Sequence, residues 1–159
     1  MRKTLFRMIL LAILVLSAGC ATLPQPAEMQ ADIADFVLPK SPEEGKALVY
    51  VVRPSAIGTL IRFNVFVDDT AATSEMGYTR GVQHIYFNLS PGEHEIFSLA
   101  ENTARTRLKV EAGDIVFLQQ SPEMGILYAR NSLLMLPDYE GKYHVKRLKL
   151  GTIIRQDKQ

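Results

Sequence analysis

Residues able to do proton-transfer or covalent chemistry are sparse in this chain of 159: one cysteine, Cys20, and three histidines, His84, His94 and His144. His94-Glu95 is the first half of a His-Glu-x-x-His zinc motif, but Phe97-Ser98 follows and the segment alternates as a strand does. Two ligands therefore cannot share a helix face there. If Ser90-Pro91-Gly92 closes a hairpin, His94 sits beside Asn88 and His84 beside Ser98. At ~3.3 Å per residue that is too far apart for one metal ion. Adjacent strand residues point to opposite faces, so Asp68-Asp69 suits a turn better than a pair of catalytic carboxylates. The stripe Arg105-Arg107-Lys109 fits a solvated sheet face, with anionic head groups as the sharper reading. Gly-x-Ser-x-Gly, a phosphate-cradling glycine loop and Cys-x-x-Cys are all absent from the sequence. With 18 basic against 17 acidic residues, there is no surplus of the kind a nucleic-acid binder carries.

The most specific chemistry is at Cys20. A basic start (Arg2, Lys3, Arg7) precedes the apolar residues 8–16, and Leu16-Ser17-Ala18-Gly19-Cys20 follows. This is the form of a cleaved secretory signal, with an apolar run far short of the ~18–20 residues that span a bilayer. The ending resembles the lipobox of bacterial lipoproteins. That resemblance implies cleavage before Cys20, a diacylglyceryl thioether on its sulfur and a further acyl chain on its amino group. Several acyl chains, at ~0.8 kcal/mol per buried methylene, anchor a protein stably where one does not. Ala21, where an Asp would favour retention in the inner membrane, points to the periplasmic face of the outer membrane. No cofactor beyond this covalent lipid is expected.

The elements that must position everything else begin after a tether. Residues 21–26 hold Pro24 and Pro26 and read as extended chain. Met29, Ile33 and Phe36 fall at i, i+4, i+7 and predict a short helix docking through Phe36. Beyond Gly45 the period becomes two. Residues 47–53 are apolar on both faces, as in a strand covered on both sides. Further strands are expected at 63–67, 83–89, 94–100, 105–112, 115–120 and 126–136, each bounded by turn residues. Residues 105–112 alternate charged and apolar, so one face is wet. From Asp138 a helix bearing Tyr139 and Tyr143 competes with a strand, and Gly141 with the alternation at 146–150 favours strand or irregular chain. The expected architecture is all-β: one antiparallel β-sandwich of about seven or eight strands, mostly a meander. Its divisions are a signal at 1–19, acylated Cys, tether and helix at 20–45, the sandwich at 46–150 and a tail at 151–159.

The segments Gly45-Lys46-Ala47-Leu48-Val49-Tyr50-Val51-Val52-Arg53, Phe66-Val67-Asp68, Leu89-Ser90-Pro91-Gly92-Glu93-His94, Ala100-Glu101-Asn102, Glu111-Ala112-Gly113-Asp114 and Gly125-Ile126-Leu127-Tyr128-Ala129-Arg130 resemble, in order and spacing, bacterial lipoproteins of the domain of unknown function 2846. The resemblance spans about 35–150. It implies an acylated, secreted β-domain and brings no established activity or catalytic residue. The expected role is binding of an envelope component, protein or glycan, without catalysis. A carrier of a lipid or small apolar ligand inside a barrel is the alternative, and a hydrolase with dispersed Glu, His and Asp comes third. In a meander the 101–104 and 121–125 connections share one end, collecting Glu101, Asn102, Gln119, Gln120 and Arg130 as candidate binding residues. A structural Glu101–Arg130 ion pair is the competing explanation of that cluster.

Overall fold

A computed structural model describes residues 23–125 and 129–157. The expected signal at 1–19 and Cys20 lie outside these residues, as do 126–128 at the start of the expected last strand. The described chain forms α1 (Pro26–Asp32), β1 (Ala47–Arg53), β2 (Phe63–Val67), a 3-10 turn (Ala72–Ser74), β3 (Glu75–Thr79), β4 (Gln83–Leu89), β5 (Gly92–Leu99), β6 (Thr103–Val110), β7 (Ile115–Glu123), β8 (Arg130–Leu136), α2 (Asp138–Arg147), β9 (Lys149–Leu150) and β10 (Thr152–Ile153). Two five-stranded sheets stack as a sandwich. The first has the order β8-β7-β1-β4-β9 and the second β10-β3-β2-β5-β6.

β1 is central to the first sheet, and all seven of its residues are buried. Ala47, Val49 and Val51 enter the core between the sheets with Val65, Val67, Met76, Ile85, Phe87, Ile96 and Leu118. Leu48, Tyr50 and Val52 face the other way, under Val145 of α2 and Phe36 and Leu38 of the entering chain. A strand covered on both sides has no polar alternation because it has no wet face. On the second sheet β6 buries Leu108 and Val110 and turns Arg105, Arg107 and Lys109 to solvent.

The sandwich stands, but the meander does not. β1 pairs antiparallel with β4 and parallel with β7, so the first sheet is mixed. Ser90-Pro91-Gly92 does not close a hairpin: β4 belongs to the first sheet and β5 to the second. His84 and His94 consequently lie in different sheets rather than along one ladder. Consecutive strands pair directly only in β2–β3, β5–β6 and β7–β8. The chain from Asp138 is a helix, not a strand. Asp138 and Glu140 in its first turn and Lys146 and Arg147 in its last complement the helix dipole. Gly141 is there because α2 lies so close to β7 that a Cβ would stand 2.1 Å from Phe117 Cγ. Residues 152–153 are no loose tail either, since they pair with β3 on the second sheet.

Register defines two ends. Arg53, Gln83 and Gln119 lie at the upper end through the pairs Arg53↔Gln83 and Val52↔Gln119. Asn64, Leu99 and Thr103 lie there on the second sheet. The turns around 90–92 and 111–114 lie at the lower end.

Candidate functional site

At the upper end the 100–102 turn meets the chain leading into β8; of the expected 121–125 connection, Ser121, Pro122 and Glu123 belong instead to β7 and pair with β8. The Glu101 amide donates to the Ala129 carbonyl at 3.2 Å. The Asn102 side chain donates to the Asn131 carbonyl and accepts from the Asn131 amide, both at 2.8 Å. It thus imitates a strand neighbour and sews one sheet to the other. Behind it lies a polar seam. Gln120 donates to Ser98 Oγ at 2.7 Å and accepts from Thr79 Oγ1 at 2.5 Å. The Asn131 side chain donates to the Ser98 carbonyl at 3.3 Å. Gln120 is fully buried, so its place among exposed donors is corrected. In a strand Gln119 and Gln120 point to opposite faces, and only one of them can look outward.

Of the five candidate residues, Glu101 and Arg130 present exposed side chains. Gln119 is half-buried and donates to Ser121 Oγ at 2.9 Å. Asn102 is spent on the seam.

Beside the seam sits a residue that sequence reasoning passed over. Arg53 ends an otherwise apolar strand and is fully buried. Its guanidinium donates to the carbonyls of Ile61 (2.7 Å), Gly58 (3.0 Å) and Ile57 (3.1 Å), and lies 3.9 Å over the Phe63 ring. A buried cation needs several acceptors in fixed positions, and the planar guanidinium supplies the matching fork of donors. Burial lowers its pKa from the ordinary guanidinium value. One cation closing an all-apolar run was the available signal.

The lower end holds the other cluster with titratable groups. Asp68 takes a left-handed conformation (φ 65°) at the end of β2 and faces His94 Nδ1 at 3.0 Å. His94 Nε2 faces the Ser90 carbonyl at 2.9 Å, and the Glu95 amide donates to Asp68 at 3.0 Å. An open groove of about 520 Å³ lies alongside, and His94 itself lines it with Asp68, Glu93, Glu95, Arg107, Leu108 and Lys109. Both ring nitrogens of His94 are engaged, so this His–Asp pair acts as a clasp joining two turns. Arg107 and Arg105 of the basic stripe reach Glu95 at 3.3 and 3.8 Å, a cross-strand ion cluster on the wet face.

Burial lowers the pKa of His84 in β4 and pushes that of His144 in α2 down to about 4, with the Arg147 charge a lesser cause for His144. Among the described residues no three His, Cys, Asp or Glu side chains are grouped to hold a metal ion.

The profile of the family described as "Protein of unknown function (DUF2846)" matches residues 43–131, more than half of the chain. The chain belongs to the DUF2846 family. The matched stretch runs from the loop before β1 into β8 and so contains Arg53, the Asp68–His94 clasp and the whole polar seam; α2 lies beyond it. The chain is also similar to an uncharacterized protein of Haemophilus influenzae, 26% identical over 151 residues, covering 94% of this chain and 86% of that protein. In this DUF2846 domain His94 and Asp68 join two turns at the lower end, and exposed polar side chains stand at both ends, Glu101 and Arg130 at the upper and Glu93, Glu111 and Asp114 at the lower.

Proposed function

We propose that this DUF2846 protein is a lipid-anchored protein of the periplasmic face of the outer membrane, acting as a non-catalytic binding module for an envelope protein or glycan. The observation that carries the reading is Leu16-Ser17-Ala18-Gly19-Cys20 after a basic start and nine apolar residues, with the chain's one cysteine at its end. A two-proline tether then hands the anchor to a sandwich whose upper end displays Glu101 and Arg130. Glycans and peptides are recognised by mixed donors and acceptors of this kind on a fixed frame. Binding is favoured over carriage of an apolar ligand because Val49, Val51, Val65, Ile85, Phe87, Ile96 and Leu118 fill the space between the sheets.

The test is fractionation of cells expressing Cys20→Ser beside the wild type. The wild type partitions with detergent-extracted membrane; the variant retains its signal or leaves the membrane. A variant that is processed normally and still membrane-bound refutes the anchor. Chemical crosslinking in intact cells then reads the binding role: partner capture is lost in Arg130→Ala while its melting temperature is unchanged. Lowered melting with normal capture assigns Arg130 to structure instead.

A further inference from the structure

We propose that the upper end of the sandwich, led by loop 54–62, is a second membrane contact that seats the domain on a phospholipid bilayer; this rests on the lipid-anchored reading above. In this loop Ile57 is 75%, Leu60 89% and Ile61 42% exposed. Val82, beside it, is 39% exposed and held at φ 61°, where β-branched residues are rarely found. An ordinary surface loop keeps its polar backbone toward water. Here Arg53 draws the carbonyls of Ile57, Gly58 and Ile61 inward, and the aliphatic side chains of Ile57 and Leu60 remain outside. The loop is also braced. Thr59 donates its hydroxyl to the Ala56 carbonyl, and Gly81 lies so close that a Cβ would stand 2.6 Å from Thr59 Oγ1. Contiguous exposed apolar groups on a braced loop mark a contact surface.

The surroundings commit that surface to a bilayer. Tyr78 lies just behind the loop, with the guanidinium groups of Arg62 and Arg80 at 5.4 and 5.2 Å from its ring. Arg130 is exposed at the same end. Aliphatic tips with an aromatic ring and cations behind them reproduce the layering of a membrane interface, acyl chains first and anionic head groups next. The tether brings the anchor to this end as well. Asp32, last residue of α1, is held by Lys146 (3.2 Å) and Arg147 (2.8 Å) at the end of α2, which leads into β9 beside Gln83. A seven-residue helix and six tether residues keep Cys20 within roughly 30 Å of that point.

The acylated full-length protein tests this directly, because a lipid-modified Cys20 leaves no free thiol. Leu60→Cys and, at the lower end, Ala112→Cys each introduce one thiol at an exposed position. Each is labelled with an environment-sensitive fluorophore and reconstituted into phosphatidylethanolamine–phosphatidylglycerol vesicles containing acyl-brominated lipid. The label at 60 is expected to shift to the blue and be quenched, and the label at 112 to stay in water. Arg62→Glu with Arg80→Glu should weaken the quenching at 60. A label at 60 as wet as that at 112, with wild type unlabelled, overturns this inference alone. Wild type that takes up the fluorophore at Cys20 overturns the anchor and this inference with it. Shielding at 60 in whole envelope fractions but not in pure lipid assigns the loop to a protein partner and also overturns it.

Discussion

Replacing Gly141 by Ala sets two effects of known size against each other. In an exposed helix the change is worth about 1 kcal/mol of stabilisation, because Ala loses less backbone entropy than Gly. In α2 the new methyl would stand 2.1 Å from Phe117 Cγ, 2.4 Å from Cδ1 and 2.5 Å from Cβ. Carbon atoms rest at about 3.5–4.0 Å, so helix and strand must separate by roughly 1.5 Å. Phe117 cannot yield. It is 1% exposed and stacked on Tyr50, ring centroids 5.5 Å apart and planes 14° from parallel. Lifting α2 would strip contacts from Val145, which closes the same cluster. Overpacking of this kind costs about 1–3 kcal/mol and is met here at its upper end, so the net effect is destabilisation by about 2 kcal/mol. Urea denaturation would show the loss as a lower midpoint at unchanged slope, and thermal melting as a fall of roughly 6 °C. Phe117→Leu opens space, so the double variant should be more stable than the sum of the single changes allows, by about 1 kcal/mol. A Gly141→Ala protein at least as stable as wild type refutes the close approach of α2 to β7.

Two further outcomes follow from buried groups. The unfolded chain protonates His144 near 6.5, and the folded chain only near 4, so stability is complete above about pH 7 and falls as pH drops through this window. At ~1.4 kcal/mol per unit the total for His144 is about 3 kcal/mol, and His84, also lowered, adds in the same direction. Asp32, held down to about 2 chiefly by its hydrogen bond to Arg147, acts only at lower pH; unfolding free energies that stay flat between pH 7 and 5 would contradict the burial of both rings. Arg53→Met should leave the loop carbonyls of Ile57, Gly58 and Ile61 without donors, costing about 3 kcal/mol and opening loop 54–62 to proteolysis. Arg53→Lys should not restore protease resistance, since an ammonium cannot match a planar fork; full resistance in Arg53→Lys would show that charge alone holds the loop.

What could be read from the residues was whatever depends on local chemistry. β1 was legible because six apolar residues in a row without alternation can only be covered on both faces, and β6 because Arg105, Arg107 and Lys109 alternate with Thr106, Leu108 and Val110. The family resemblance was legible from the order of short motifs, and the matching profile bears it out. The resemblance of Leu16-Ser17-Ala18-Gly19-Cys20 to a lipobox is wholly a sequence reading, and those residues lie outside the described structure. α2 was misjudged because Gly141 weakens a helical pattern in isolation; it is the right residue only once Phe117 is known to lie against it.

Other properties were decided by tertiary structure alone. Ser90-Pro91-Gly92 bends the chain whether the next strand pairs with the last or crosses to another sheet. The choice rests on which apolar faces must meet, and that is a property of the whole chain. The parallel pairing of β1 with β7 joins residues more than sixty positions apart and leaves no local trace. Gln120 looks like a surface residue until Thr79 and Ser98 are brought to its amide, and Arg53 looks like the end of a strand until loop 54–62 folds over it. Composition and periodicity report how much of a residue is buried on average. Which polar group finds its partners inside depends on elements distant in sequence, and only the folded chain brings them together.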